Sequence, residues 1–502
     1  MEPNEVDVNK ATSAGHPGLK LLIPEDIRYN CQGCGRCCSG WSVGLTEEDY
    51  GRVKGTDWQS LHPELAGKEI FFHREKEFAE GTAAYPHYTK PRDDGSCPFL
   101  INNLCFIHST LGEYEKPITC RVFPYSFVET PTGVYTGVVY NSMASVRNIG
   151  EPLSAQREKL TEYFNLSIQH KNASMRPGEL DAQIKAVQDG SMVAPVSPFD
   201  KVKITPACEL TWEEYLLIED RMISLVLSRL RNLDIKTSAE VLEGRPHVQN
   251  EGTAGSGANI FNTLLQCGEI LMQGRKLKVS GGNVADIASF EPEIKIPAEP
   301  QASGTELMTL RMLYYRFFVY PTVRTSDTSL WQMQRKRAFE PKVAITVAKA
   351  FSKYIGSGLN TILMAKAGLP LLGNVSLNTA LSKDFAPIDD ETDKLFHRWL
   401  YLKLFSKSYF GPAAAGFSVL SGFNCLTASI LSVLLFAKAA AINKKAEAIA
   451  IADIYEAYWR LDRELLTMGQ TPEQESKFYN SGLSSPRLFN KSIWTMAGSL
   501  KL

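Results

Sequence analysis

Apolar residues return at three- and four-residue intervals through much of the chain beyond about residue 156, the spacing of one helix face. The clearest run, "TWEEYLLIEDRMISLVLSRLRNL", opens with Thr211 and Glu214 in capping-box positions. It carries Leu217, Ile218, Met222, Leu225 and Val226 at helical intervals. "NIFNTLLQCGEILMQG" reads as a helix stopped at Gly274, and "TELMTLRMLYYRFFVYP" as one stopped at Pro321. "DDETDKLFHRWLYLKLF" begins with acids that suit a helix N-terminus, and "AEAIAIADIYEAYWRLDRELLTMG" closes at Gly469. Stretches rich in Gly, Pro and Ser near 244–258 and 280–304 read as loops. There is no repeat of fixed period.

Before residue 156 the period is lost. Turn-formers alternate with short β-like runs such as "WSVGL" and "GVYTGVVY". Thr46 stands as an N-cap three residues before Asp49, which predicts a short helix there. Residues 1–20 are polar and predict a disordered tail. The expected fold is α+β, mainly α: a small loop-rich cysteine-cluster domain over 21–155, followed by a larger helical domain over 156–502.

One stretch raises a membrane question. No residue from Ser408 to Ala437 is charged, and the apolar part at 417–437 is long enough to span a bilayer. Gly411, Pro412, Gly416, Gly422 and Asn424 interrupt it. A central helix buried on every side has the same composition and is the preferred reading, with a membrane span as the alternative.

Composition narrows the function classes. At 502 residues there is room for two or three domains, and 44% hydrophobic with 22% charged residues is ordinary for a protein that buries a core. A net charge of −1 gives no electrostatic footprint for nucleic acid. The polar N-terminus has no secretory pattern, so a cytoplasmic, reducing setting is expected, where structural disulfides are rare.

That setting changes the meaning of the cysteines. Seven of the ten fall between Cys31 and Cys120, and "YNCQGCGRCCSGW" alone holds Cys31, Cys34, Cys37 and Cys38. Cys-x2-Cys run twice in succession, with Gly33 and Gly35 to loosen the backbone, is a metal-binding device. Cys97, Cys105 and Cys120 follow as candidates for a remote ligand. The spacing Cys31-x2-Cys34-x2-Cys37 is that of bacterial ferredoxin clusters, and Cys97-Pro98 suits the remote fourth ligand, although Cys105 and Cys120 also qualify. An iron–sulfur cluster of the 4Fe–4S type is favoured over zinc, which also accepts four sulfurs. Seven thiols do not divide into fours, so two zinc sites would share a ligand or recruit His73, His87 or His108. Arg121, next to Cys120, either offsets the charge of a thiolate centre or faces solvent. Cys208, Cys267 and Cys425 read as small buried hydrophobes.

Other chemistry is poorly supported. "GSGAN" has no preceding strand and reads as a linker, and no Walker A loop, HExxH or G-x-S-x-G elbow occurs. The aromatic run Tyr314, Tyr315, Phe317, Phe318 and Tyr320 is explained by core packing more simply than by a methylammonium pocket. A C-x-x-C redox motif belongs at a helix start after a strand, not in a Gly-rich loop.

"CQGCGRCC", "CPFLINNLCFIH" and "KPITCRVFP", in that order, resemble the YkgJ-type CxxCxxCC family of bacterial proteins, described as zinc- or iron-chelating. The resemblance covers residues 31 to 124. It implies Cys31, Cys34, Cys37, Cys38, Cys97, Cys105 and Cys120 as the metal ligands. "CCSGWSVGLT", "FLINNLCFIHSTLGEY" and "DIYEAYWRLDRELLTMG" are similar to the flagellin lysine N-methylases, larger proteins thought to use S-adenosylmethionine with a cysteine-held iron–sulfur cluster. Two functions are therefore expected as alternatives. One is a metal-binding module whose helical domain docks a protein partner. The other is an S-adenosylmethionine-dependent protein lysine N-methyltransferase acting on a protein substrate.

Overall fold

The computed structural model describes residues 20–39, 42–80, 83–173, 199, 201–242, 259–294, 368–369, 372–414, 416–465 and 483–500. The helix expected to end at Pro321, with the aromatic run inside it, lies outside these residues, as do the tail to residue 19, the loop at 244–258, residues 295–304 and Gly469.

The fold is α+β and mainly α. The N-terminal part is a set of small sheets with short helices. β1 (Leu21–Leu22) lies parallel to β8 (Gly133–Val138), which pairs antiparallel with β7 (Tyr125–Thr130). β2 (Gly44–Leu45), β3 (Phe71–His73) and β4 (His87–Thr89) form a second sheet in the order β2-β4-β3. α1 (Glu47–Lys54) follows β2 and is capped by Thr46, whose Oγ1 accepts from the Asp49 amide at 3.1 Å. α2 (Glu75–Ala79) follows β3. β5 (Leu100–Ile101) and β6 (Leu104–Cys105) make a hairpin that runs into α3 (Phe106–Leu111), and α4 (Ile118–Val122) comes next.

α5 (Met143–Arg147) and α6 (Arg157–Ala173) lead to the hairpin of β9 (Lys201–Thr205) and β10 (Cys208–Thr211). The helices that follow are α7 (Trp212–Leu242), α8 (Ile260–Val279), α9 (Leu377–Ser382), α10 (Asp390–Phe405), α11 (Val419–Asn443), α12 (Ile451–Leu465) and α13 (Pro486–Ser499). The capping box forms in both directions: the Glu214 amide donates to Thr211 Oγ1 at 3.2 Å, and the Thr211 amide to Glu214 Oε2 at 2.8 Å. Asp389 caps α10 through the Thr392 amide at 2.8 Å.

Two expectations about these helices are corrected. Leu217 lies on the exposed side of α7; the buried stripe is Trp212, Tyr215, Ile218, Met222 and Val226. α8 does not stop at Gly274 but runs five residues further. There glycine serves packing, because a Cβ would stand 2.3 Å from Ile218 Cδ1. The missing side chain lets α7 and α8 approach closely.

One large core joins β1, β7 and β8 to the helices, from Leu21 to Leu500. A smaller one, built on Val53, Trp58, Leu65, Ile70, Phe99, Ile101 and Ile107, lies under the β5–β6 hairpin and touches Cys97 and Cys105. α11 is the one described helix long and apolar enough to cross a membrane. It is buried along nearly its whole length and packs against α8, α9, α10, α12 and α13. The expected central helix is therefore enclosed by protein, and its buried Ser421, Asn424, Thr427 and Ser429 turn to hydrogen-bond partners within the fold.

Candidate metal centre

The loop of four cysteines is held against the β5–β6 hairpin. Gly33 and Gly35 both have positive φ, 60° and 70°, which glycine tolerates best. Both face the β5–β6 hairpin closely. A Cβ on Gly33 would meet Leu104 Cδ2 at 2.6 Å, and one on Gly35 would meet Leu100 Cδ1 at 3.1 Å and the Asn103 carbonyl at 3.2 Å. Arg36–Cys38 then closes a 3-10 turn through the Cys38 amide and the Gly35 carbonyl at 3.0 Å. The Cys97 amide donates to the Cys38 carbonyl at 2.9 Å, tying the loop to the hairpin.

These contacts bring distant thiols together. Cys38, Cys97, Cys105 and Cys120 lie in one region and act on one another electrostatically: Cys38 raises the pKa of the other three, Cys105 that of Cys97 and Cys120, and Cys97 that of Cys120. Cys31, Cys34 and Cys37 form a second group that meets the first at Cys38. Cys31 and Cys34 are exposed and the other five half-buried. No trio of thiols among the described residues has all its sulfurs within 4.8 Å.

Burial pushes the Cys97 thiol up to about 12 and raises Cys105 and Cys120 as well. Backbone amides work the other way: that of Phe99 bonds Cys97, and those of Ile107 and His108 bond Cys105. Cys37 and Cys38 share a hydrogen bond that lowers Cys38 to about 7 and raises Cys37, with Lys116 helping to lower Cys38. A buried thiol is costly to ionise alone, and a cation removes that cost by taking the proton's place.

The residues present fit a thiolate-held metal. Four soft donors gathered in one region suit zinc or an iron–sulfur centre. Lys116 acts electrostatically on Cys38, Cys105 and Cys120. Arg121 is buried rather than facing solvent: its NH2 pairs with Glu162 at 2.8 Å, and its plane lies 4.9 Å from the Tyr114 ring. Its buried Nε finds no hydrogen-bond acceptor among the described residues, which leaves a donor for an anionic sulfur beside Cys120. Cys208, Cys267 and Cys425 are buried in the large core, as small hydrophobes.

The sequence reading missed Lys116, whose only signal was its place four residues before Cys120. It also missed a long-range dock. Arg36, inside the cysteine loop, pairs with Glu456 at 2.5 Å and lies 4.5 Å over the Trp459 ring, both on α12. Of the histidines proposed as supplementary ligands, His108 offers its backbone amide to Cys105, while His73 and His87 pair with each other.

Residues 30–143 match the CxxCxxCC family model, described as a "Putative zinc- or iron-chelating domain". An uncharacterized protein of Methanocaldococcus jannaschii is 33% identical over 102 residues, which is 20% of this chain. The chain spans 30% of the length of that relative. No solved structure matches the chain.

Proposed function

We propose that the protein is a metal-binding protein whose centre is held by Cys38, Cys97, Cys105 and Cys120, with Cys31, Cys34 and Cys37 on its open side. What supports this is the electrostatic coupling of the four thiols with one another and with Lys116, beside an Arg121 Nε that has no acceptor among the described residues. An iron–sulfur cluster is the preferred occupant, since seven thiols in one region and two flanking cations suit a large anionic centre. Zinc in a tetrahedral four-sulfur site is the alternative. The protein's own contribution is to aim amides at Cys97 and Cys105, to offset thiolate charge, and to hold the loop in register through its glycines.

Anaerobic purification followed by iron, zinc and acid-labile sulfide analysis tests this. Brown protein containing iron and sulfide is expected. Colourless protein with stoichiometric zinc would replace the cluster by the chelating alternative, and metal-free protein would end both. Replacing Cys38 or Cys120 by Ser should strip the metal, whereas Cys208→Ser or Cys425→Ser should leave it.

A second reading, an S-adenosylmethionine-dependent lysine N-methyltransferase, is supported by one contact. The cysteine loop and the segment "YEAYWRLDRELL", which carry the resemblance at opposite ends of the chain, meet through Arg36, Glu456 and Trp459. Calorimetric titration of the metal-loaded protein with S-adenosylmethionine tests it, and no heat at millimolar ligand would remove this reading.

A further inference from the structure

A second group of metal-ligand side chains lies on the β2-β4-β3 sheet, and it contains no sulfur. The antiparallel register puts His73 of β3 directly opposite His87 of β4. Their Nδ1 atoms are 2.9 Å apart, and Glu75 Oε1, from the first residue of α2, is 3.8 Å from His87 Nδ1. The three ligand atoms all lie within 4.8 Å of one another.

The surroundings orient the ring that matters most. His87 is 2% exposed, and its Nε2 lies 3.0 Å from Glu47 Oε2. A carboxylate there keeps the proton on Nε2, so the Nδ1 lone pair points at His73 and Glu75. Metal-ligating histidines are characteristically held this way by a carboxylate on the far nitrogen. Tyr50 stacks on the His87 ring at 4.0 Å and meets the His73 ring edge-on at 5.2 Å, fixing the base of the site.

We propose that His73, His87 and Glu75 bind a divalent transition-metal ion of the zinc type, with Glu47 as the supporting carboxylate. Two nitrogens bound to one tetrahedral zinc stand about 3.3 Å apart, so opening the His–His contact by about 0.4 Å turns a hydrogen bond into a chelate. Imidazole and carboxylate together suit zinc and its first-row neighbours, and three protein ligands leave a fourth position for water. His73 and Glu75 are exposed, so an ion can enter from solvent. The site does not depend on the cysteine centre, whose donors are all sulfur.

The test uses the full-length chain dialysed against zinc, beside His73→Ala and Glu75→Gln. Both substitutions fall on exposed residues, which avoids the folding risk of replacing buried His87. The expected result is one zinc equivalent fewer in His73→Ala than in the parent, and at least tenfold weaker binding of that equivalent in Glu75→Gln. Cobalt substitution separates the two sites, because only the cysteine centre gives a thiolate-to-cobalt charge-transfer band. That band should be unchanged in both variants. Equal zinc content in the parent and His73→Ala overturns the inference. Loss of one equivalent in His73→Ala upholds it even where no thiolate band appears in any of the proteins, an outcome that would instead remove the cysteine reading.

Discussion

Placing a methyl group on Gly35 should weaken metal binding far more than it weakens the fold. Gly35 has φ +70°, a conformation costing a residue with a Cβ about 1–2 kcal/mol. The added Cβ would also crowd Leu100 Cδ1 at 3.1 Å and the Asn103 carbonyl at 3.2 Å. That oxygen belongs to the β5–β6 turn and yields less than a side-chain tip, so crowding adds about 1 kcal/mol. The sum, about 2–3 kcal/mol, falls on the loop that presents Cys34, Cys37 and Cys38, and it corresponds to roughly 30- to 150-fold in affinity. Gly33→Ala should cost less. Its φ is +60°, but its Cβ meets only the end of Leu104, an exposed side chain that can swing away. Strain alone, about 1–2 kcal/mol, predicts a 5- to 30-fold loss. Gly51→Ala is the control, on the exposed face of α1 with nothing within 4 Å of the added Cβ. There alanine should stabilise by about 0.5–1 kcal/mol and leave affinity alone. Competition for metal against a chromophoric chelator, with melting curves of the metal-free proteins, reads both quantities. Parental affinity in Gly35→Ala would mean that the loop is not the metal cradle.

Other tests probe the helical core and the dock. Lys407 and Glu219 are an ion pair with both side chains about 1% exposed, joined by the Tyr215 hydroxyl, so Lys407→Met should cost about 3–5 kcal/mol by stranding Glu219. The double variant Lys407→Met/Glu219→Leu should recover much of that loss in denaturant titration, and no recovery would show that packing, not charge, dominates. Burial holds Lys438 of α11 down at about 8 from its ordinary 10.5. The cost of charging it inside the fold is therefore absent above about 10.5 and fully present once pH falls through 8, amounting to about 3 kcal/mol at most. Lys438→Met should be more stable than the parent at pH 7, even after losing the 2.9 Å bond to Ser499, and the difference should shrink by pH 10. Arg36→Gln should lower the melting temperature of the metal-loaded protein with only a small change in metal content; an unchanged melting temperature would mean that the dock on α12 adds nothing.

What the sequence made legible was local. The capping box at Thr211 and Glu214, the Thr46 cap, the acids that open α10, and the enclosed apolar helix each depend on residues a few positions apart, or on one run of composition. Leu217 and Gly274 mark where local reading fails. Both lie near the α7–α8 contact, and which face of a helix is buried there, or why a glycine sits within one, depends on the partner helix. The cysteine spacing announced a metal site, but spacing favours the nearest thiols. The four that act on one another electrostatically include only Cys38 from the first motif; Cys97 stands just before the β5–β6 hairpin, Cys105 in its second strand and Cys120 in α4.

The same limit explains why the interactions around the metal centre had no sequence signal. Arg36 and Glu456 are separated by 420 positions, and an arginine between cysteines reads equally well as a solvated side chain. Its position in the fold gives it a different meaning. Arg36 immediately precedes Cys37 and Cys38, so any movement of those thiols toward an ion is transmitted to a guanidinium held by Glu456 and Trp459. α12 in turn packs against α5 and α11, the first contributed by the N-terminal sheet region and the second by the centre of the helical core. A single ion held by four sulfurs would need a tighter loop than this one, whereas an iron–sulfur cluster holds its ligand sulfurs about 6 Å apart and suits the wider spacing. Arg36 thus ties the backbone of the cysteine loop to the helical core through α12, a tie that no local reading of the cysteine motif could reveal.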